Sequence, residues 1–389
     1  MFLEKTIARN KALIDAALEF RKENKITPDT YVIDLDVVEN NARLLVEEAK
    51  KQGIQLYFMT KQIGRNPEIA KRVVAQGIDR IVAVDAWEAL ALAGEGMQLG
   101  HVGHLVQIPE GMIAEVLSYR PEVITVFSLE KARSISREAK KMGITQKLLM
   151  RVVGDKDHLY DGQKGGFLEH EWLSSAKAIH EMSNVSLAGL TAFPCFLYKE
   201  GEVVATENVK TVQKAAALIQ EHLGIKLEQI NLPSANSVHT LDLVAKAGGT
   251  HAEPGHALTG TTPLHAVMDL PEKPAMVYIT EISHYVDQSA YVYGGGFYQR
   301  SGVNKALVVR ECDLSKSNIV AAKEPSPLMI DYYAEVDVAN IESQIGDAVI
   351  YAFRTQIFMT RSNVALIEGI QSGAPKLIGI YDALGRKKD

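Results

Sequence analysis

A lysine that directly follows an uncharged run, Lys61 after LYFMT, is the side chain of this sequence best placed for covalent chemistry. An amine at the end of a buried strand loses solvation, and desolvation or a nearby cation lowers its pKa and makes it a nucleophile able to form a Schiff base. A lysine snorkelling from a strand end is the plainer alternative. Further along, Ser234, Ala235, Asn236 and Ser237 precede the run VHTLDLVAKAG, whose spacing predicts a helix. Free backbone N–H groups at its N-terminus would suit a phosphate, although the same residues also serve as ordinary N-caps. Gly255 would allow close backbone approach to a second face of that phosphate, with His256 as a further donor. Glu253, two residues earlier, is more telling. A carboxylate beside a phosphate turn can pair with a protonated ring nitrogen and keep a pyridine-type cofactor cationic, an electron sink for a carbanion. A salt-bridged loop glutamate is the alternative. The run YVYGGGFY (291–298) reads either as a phosphate-cradling glycine loop or, favoured locally, as a β-hairpin turn. Its tyrosines could donate protons where a neighbouring cation depresses their pKa.

These residues have to be positioned by something. From residue 30 onward, short β-branched or apolar runs alternate with helical patterns, the signature of a parallel sheet wrapped by helices. A first strand, TYVIDLD (30–36), leads into the helix VVENNARLLVEEAKKQG. Eight further strands are expected: LYFMT (56–60), RIVAVD (80–85), HVGHLVQ (101–107), EVITVFS (122–128), KLLMRVV (147–153), SLAGLTAF (186–193), QINLPS (229–234) and GTHAEP (249–254). Eight such units predict an α/β fold, an eight-fold β/α (TIM-type) barrel over residues 30–264; an open doubly wound sheet is the alternative, but no GxGxxG turn follows a first strand. After residue 264 the runs PAMVYITEISHYV, SAYVYGGGFY, KALVVRECDL and DAVIYAFRTQIFMT are strand-like without long helices between them. They predict a C-terminal mostly-β domain over 265–389. Residues 1–29 read as a surface helical extension. Functional groups of β/α barrels gather at the C-terminal ends of strands. That rule selects Lys61, Arg151, Phe193, the loop Ser234 to Ser237, and Glu253 to His256.

Composition narrows the classes further. The chain has 389 residues, 47% hydrophobic and 23% charged, with a formal net charge of -6 and no basic stripe, which argues against nucleic acid as a partner. No long apolar run predicts a membrane span, and the N-terminal segment lacks the pattern of a signal peptide, so a cytoplasmic setting is expected. The two cysteines, Cys195 and Cys312, lie far apart without a CxxC spacing, which predicts neither a disulfide nor a structural zinc site.

Taken in order, YVIDLDVVENNARLL, FMTKQIG, LMRVV, GLTAFPCF, NLPSANS, AEPGHALTG and VYGGGF resemble the alanine-racemase-type, or fold-type III, pyridoxal-phosphate enzymes, and within them the YhfX-like branch. The resemblance covers most of the chain. It implies pyridoxal 5'-phosphate as cofactor, Lys61 as the Schiff-base lysine, Arg151 near the phenolic oxygen of the ring and Phe193 stacked on it. It also implies that Ser234, Ala235, Asn236, Ser237, Gly255 and His256 bind the phosphate. Tyr293 aligns with the tyrosine that alanine racemases contribute from the β domain of a partner subunit as second acid/base, which implies a homodimer.

Two departures bear on the reaction. Alanine racemases carry arginine before the proline-glycine pair, whereas Glu253 here is similar to the motif of the barrel-type amino-acid decarboxylases and implies a stronger electron sink. Zinc-dependent relatives with lyase or aldolase activity carry a histidine paired with cysteine or aspartate in the β domain, and no histidine follows His284, so no metal is expected. Cys312 and Asp313 resemble the decarboxylase cysteine-aspartate pair, but Leu314 replaces the glycine that follows. The leading expectation is an amino-acid racemase or epimerase. A decarboxylase or other Cα-bond-cleaving enzyme is the second, and a non-catalytic pyridoxal-phosphate carrier the third.

Overall fold

The computed structural model describes residues 2–294, 297, 300–326 and 328–388, and the chain divides into two compact units. One comprises Leu44–Thr60 and Val73–Gly255; the other comprises Met1–Arg43, Lys61–Arg72 and His256–Asp389.

The first unit is the expected barrel. Its parallel strands run in the order Gln55–Leu56, His251–Ala252, Gln229–Asn231, Val185–Thr191, Gln146–Val153, Val123–Val126, Gln98–Val102, Arg80–Ala83 and Phe58–Met59. The first and last of these are two halves of one strand broken at Tyr57. Gln55, Tyr57 and Met59 all donate backbone N–H groups to the 250–254 segment, while Phe58 and Met59 pair with Arg80–Ala83. One bent strand thus carries neighbours on both sides and closes the ring at eight. The helices take the caps their sequences offer. Asp85 accepts from the Glu88 N–H and Ser128 from the Lys131 N–H, while Gly224 ends Glu207–Leu223 in the left-handed conformation at φ 64°.

The second unit is built on a nine-stranded sheet in which Ser317–Ala321, Lys305–Val309, Ala348–Tyr351, Met276–Val286, Thr30–Asp34, Asn363–Glu368 and Lys376–Tyr381 are successive neighbours. Ser289–Tyr293 extends it, pairing with Met276–Val286 and with Tyr333–Asp337. Two sequence expectations are corrected here. The strand Thr30–Asp34 does not open the barrel. It lies between Met276–Val286, antiparallel, and Asn363–Glu368, parallel, and all five of its residues are buried. The barrel is complete without it, whereas this sheet needs a central strand apolar on both faces. Nor is the N-terminal segment a surface extension. Phe2–Arg9 and Lys11–Lys22, separated by the N-cap Asn10, pack Leu3, Leu13, Ile14, Ala17 and Leu18 into one cluster with Val32, Val277, Ile279, Ile350 and Ala365. A boundary at residue 264 therefore does not separate the two units.

Candidate active site

Lys61 stands two residues beyond Met59, the last residue of the bent barrel strand, and begins the single turn Lys61–Ile63. The residue before it is fixed from within the barrel: the Thr60 hydroxyl donates to Glu88, whose other carboxylate oxygen accepts the Val84 N–H at 2.6 Å. Thr60 and Glu88 are fully buried. The strand end that delivers Lys61 is thus tied to the next βα turn.

At the same end of the barrel, Glu253 follows the strand His251–Ala252 and its side chain is buried. Its Oε1 accepts from Asn231 Nδ2 and from His101 Nδ1, both at 2.6 Å, and its backbone N–H donates to Asn236 Oδ1 at 2.8 Å. The opposite ring nitrogen of His101 is hydrogen-bonded to the Thr125 hydroxyl. Oε2 lies 3.9 Å from His104 Nε2 and has no hydrogen bond among the described residues. Burial opposes the charge of this carboxylate, yet the imidazoles of His101 and His104 and the two donors on Oε1 hold its pKa below the ordinary range. It is an anion fixed at one oxygen. His101, His104 and Glu253 each bring one potential ligand atom within 4.8 Å of the others. Two ligands of one tetrahedral zinc stand about 3.3 Å apart, given metal–ligand bonds of about 2.0 Å. The 2.6 Å approach of His101 to Glu253 is instead a hydrogen bond.

The local chain explains how His101 reaches this position. The expected strand over 101–107 is observed at Gln98–Val102, so His101 is its penultimate residue and His104 lies in the following loop. Gly103 stops the strand at φ 82°, and a Cβ there would come within 2.9 Å of the Thr125 carbonyl oxygen. The pairing with Arg80–Ala83 also slips by one residue, from Ile81 opposite Leu99 to Val82 opposite His101. A one-residue slip exchanges the faces of a strand.

The remaining barrel residues fall into place unevenly. Arg151, in Gln146–Val153, is buried, donates through Nη2 to the Gln163 carbonyl at 2.7 Å and lies 4.7 Å over the Phe127 ring. Its Nε and Nη1 have no hydrogen bond among the described residues, and burial lowers its pKa to about 10. Phe193, two residues beyond Val185–Thr191, meets His104 edge-on at 5.4 Å and Tyr160 at 6.0 Å. His104 therefore links Phe193 to Glu253. The expected helix after residue 237 begins only at Leu241, and the Ser237 N–H donates to Thr240 Oγ1 at 2.8 Å. That donor is not left for a phosphate. Ser234 and Ala235, with φ of 91° and 49°, hold successive left-handed conformations costly for residues with a Cβ, the kind of strain found at ligand clamps. Asn236 braces Glu253, a role its sequence position did not suggest, and Gly255 is buried.

In the other unit, His256 departs from expectation. Its Nε2 hydrogen-bonds the Thr355 carbonyl at 2.8 Å and its Nδ1 faces the Gln62 amide at 3.5 Å. Burial, with the charges of Arg354 and Lys61, drives its pKa well down. A neutral imidazole donating to a carbonyl is a brace and not a phosphate donor. Tyr293 ends the strand Ser289–Tyr293, is 41% exposed, and lines a depression with Pro28, Asp29, Glu281, Tyr332 and Arg361. Gly295, Gly296 and Tyr298, the rest of the expected glycine turn, lie outside the described residues.

Comparison with known proteins decides the family. The sequence profile of the alanine racemase N-terminal domain matches residues 33–263, and that of the YhfX-like C-terminal domain matches residues 277–377. The chain is a YhfX-like member of the alanine racemase fold family. It is 44% identical to the uncharacterized protein YhfX of Escherichia coli (strain K12) over 99% of both chains. Among solved structures, the YhfX-like chain is similar to D-threonine aldolase from Filomicrobium marinum, with a TM-score of 0.68 at 15% identity over 93% of this chain and 96% of that one. The alanine racemase of Clostridium difficile 630 in complex with cycloserine gives 0.64 at 17% identity, over 92% and 99%. The family is that of the fold-type III pyridoxal-phosphate enzymes, and these neighbours differ in reaction. Among the described residues no helix is long and apolar enough to cross a membrane.

The residues of the YhfX-like barrel fit such a cofactor. The buried Glu253 Oε2 suits a ring N–H, and the buried Arg151 Nε and Nη1 suit an anionic ring oxygen; both are polar atoms otherwise left without hydrogen bonds among the described residues. Sequence reasoning found Glu253 but missed its supports. His101, Thr125 and Asn231 each stand at or next to the last residue of a strand, where the barrel rule would have selected them. The misplaced 101–107 strand put His101 at the wrong end.

Proposed function

We propose that this protein is a pyridoxal-phosphate enzyme acting at Cα of an amino acid, with racemisation or epimerisation as its reaction. The observation that carries the cofactor part of this reading is the buried Glu253 carboxylate, clamped at Oε1 and without a hydrogen bond at Oε2 among the described residues, at the end of the barrel where Lys61 leaves its strand. When bound, the cofactor supplies an electron sink for a carbanion at Cα. Lys61 would hold it covalently and carry the proton on one face. Glu253 accepts the ring N–H, Arg151 donates to the phenolic side, Phe193 covers the ring, and residues 234–236 with Gly255 take the phosphate.

Racemisation needs a second acid/base on the opposite face of the planar carbanion. Tyr293 of a second copy is the group assigned to it, in a homodimer where the β unit of one chain serves the barrel of the other. The exposed Tyr293 and the exposed Leu328, Ile330 and Tyr332 on that unit support this assembly. Glu253 in place of arginine favours a second reading, decarboxylation or other Cα-bond cleavage, because a cationic ring stabilises more than a transient carbanion. Incubation with a panel of L- and D-amino acids in deuterated water tests both. Cα deuteration with inversion is the expected result, carbon dioxide release moves the assignment to a decarboxylase, and neither reaction from cofactor-loaded protein refutes the enzymatic reading.

A further inference from the structure

We propose that Thr125, His101 and Asn231 are positioning residues for the cofactor ring: they lock Oε1 of Glu253 as an anion and leave Oε2 as the acceptor of a ring N–H. The inference rests on the pyridoxal-phosphate reading and adds what controls the ring. Two strands meet at one carboxylate oxygen, and a third braces one of the donors from behind. The strand Val123–Val126 supplies the Thr125 hydroxyl, Gln98–Val102 supplies His101, and Gln229–Asn231 supplies Asn231. Both nitrogens of His101 are engaged, one by Thr125 and one by Glu253, so the imidazole cannot rotate without breaking two buried hydrogen bonds. Asn231 Nδ2 adds the second donor to the same oxygen.

The asymmetry is the informative feature. A carboxylate stabilised only as an ion would share its donors between both oxygens, since each offers two lone pairs. Here both side-chain donors crowd onto Oε1, and Oε2 has none among the described residues. An unsatisfied oxygen of a buried charged group is costly unless a ligand completes it. A strong ring-nitrogen acceptor keeps the pyridine protonated, so the relay behind Glu253 sets how strong an electron sink the chain offers.

The test reads the ring directly. Apoprotein is reconstituted with pyridoxal phosphate carrying a 15N label at the ring nitrogen, and its chemical shift reports whether that nitrogen is protonated. Wild-type holoenzyme should show the protonated signal. His101→Phe, which keeps a planar ring but removes both nitrogens, should move the signal to the unprotonated position with the cofactor still bound. His101→Asn, whose amide can still donate to Glu253, should restore it. A protonated signal that His101→Phe leaves in place, or an unprotonated signal in wild type, overturns the proposal. Should His101→Phe fail to fold, Thr125→Val carries the same decision through the loss of one hydroxyl: a signal moved part of the way supports the relay, and an unmoved one overturns it. Zinc held tightly by wild-type apoprotein and released in His101→Asn also overturns it, because the cluster would then be holding a cation. Wild-type protein that takes up no cofactor overturns the functional reading together with this one, whereas a bound cofactor insensitive to His101 overturns this one alone.

Discussion

Replacing Glu253 by glutamine changes one atom and removes one charge, and the structure sets what each change does. The amide oxygen must take the place of Oε1, because the flipped amide would aim its NH2 at two donors, His101 Nδ1 and Asn231 Nδ2. In that orientation both hydrogen bonds survive, but to a neutral acceptor. Hydrogen bonds to charged groups contribute about 1.5–3 kcal/mol and neutral ones about 0.5–1.5. The two together therefore lose roughly 2 kcal/mol, offset in part by no longer burying a charge. A loss of up to about 2 kcal/mol in urea unfolding is expected, well short of unfolding the chain. The functional change is larger in consequence. The NH2 now stands where Oε2 stood and offers a hydrogen to a ring nitrogen that needs an acceptor. Losing one charge-assisted contact of about 1.5–3 kcal/mol slows Cα proton exchange roughly 10- to 100-fold. The assay is deuterium incorporation at Cα followed by NMR, on wild type and variant at equal cofactor occupancy. An unchanged exchange rate at full occupancy refutes the assignment of Glu253 to the ring.

Two further outcomes follow from the same structure. Inactive Lys61→Ala mixed with inactive Tyr293→Phe under subunit exchange should recover about one quarter of wild-type activity at statistical mixing, since one of the two sites in a heterodimer carries both groups; a monomer in sedimentation, or silent mixtures after proven exchange, contradicts the shared site. Burial lowers the pKa of His251 to about 4, so between pH 6.5 and 4 the unfolded chain binds a proton that the folded chain refuses, and stability falls as pH drops through that window by up to about 3 kcal/mol; His251→Gln should flatten that part of the urea-midpoint profile, and a profile identical to wild type refutes the neutral buried imidazole.

The barrel was legible because its strands are short apolar runs separated by helices with caps and glycine stops, and periodicity registers both. Lys61, Glu253 and Arg151 were legible as candidates for a related reason: polar residues at the ends of apolar strands stand out. What stayed hidden depended on register. The Gln98–Val102 strand slips by one residue against its neighbour and ends at Gly103, and no local pattern announces a slip, so His101 and its contact with Glu253 could not be placed. The Thr30–Asp34 strand reads like any barrel strand, and only tertiary pairing with Met276–Val286 and Asn363–Glu368 removes it from the barrel. His256 resembles a phosphate donor until Thr355, 99 residues away, is seen to accept its hydrogen.

The assignment of the cofactor to Lys61 is open to a direct chemical test. Wild-type protein loaded with pyridoxal phosphate is reduced with borohydride, digested, and mapped by mass spectrometry, with Lys61→Ala treated in parallel. The expected result is a phosphopyridoxyl adduct on the peptide containing Lys61 and none anywhere in the variant, which should remain folded. An adduct on another lysine, or one that persists in Lys61→Ala, would contradict it.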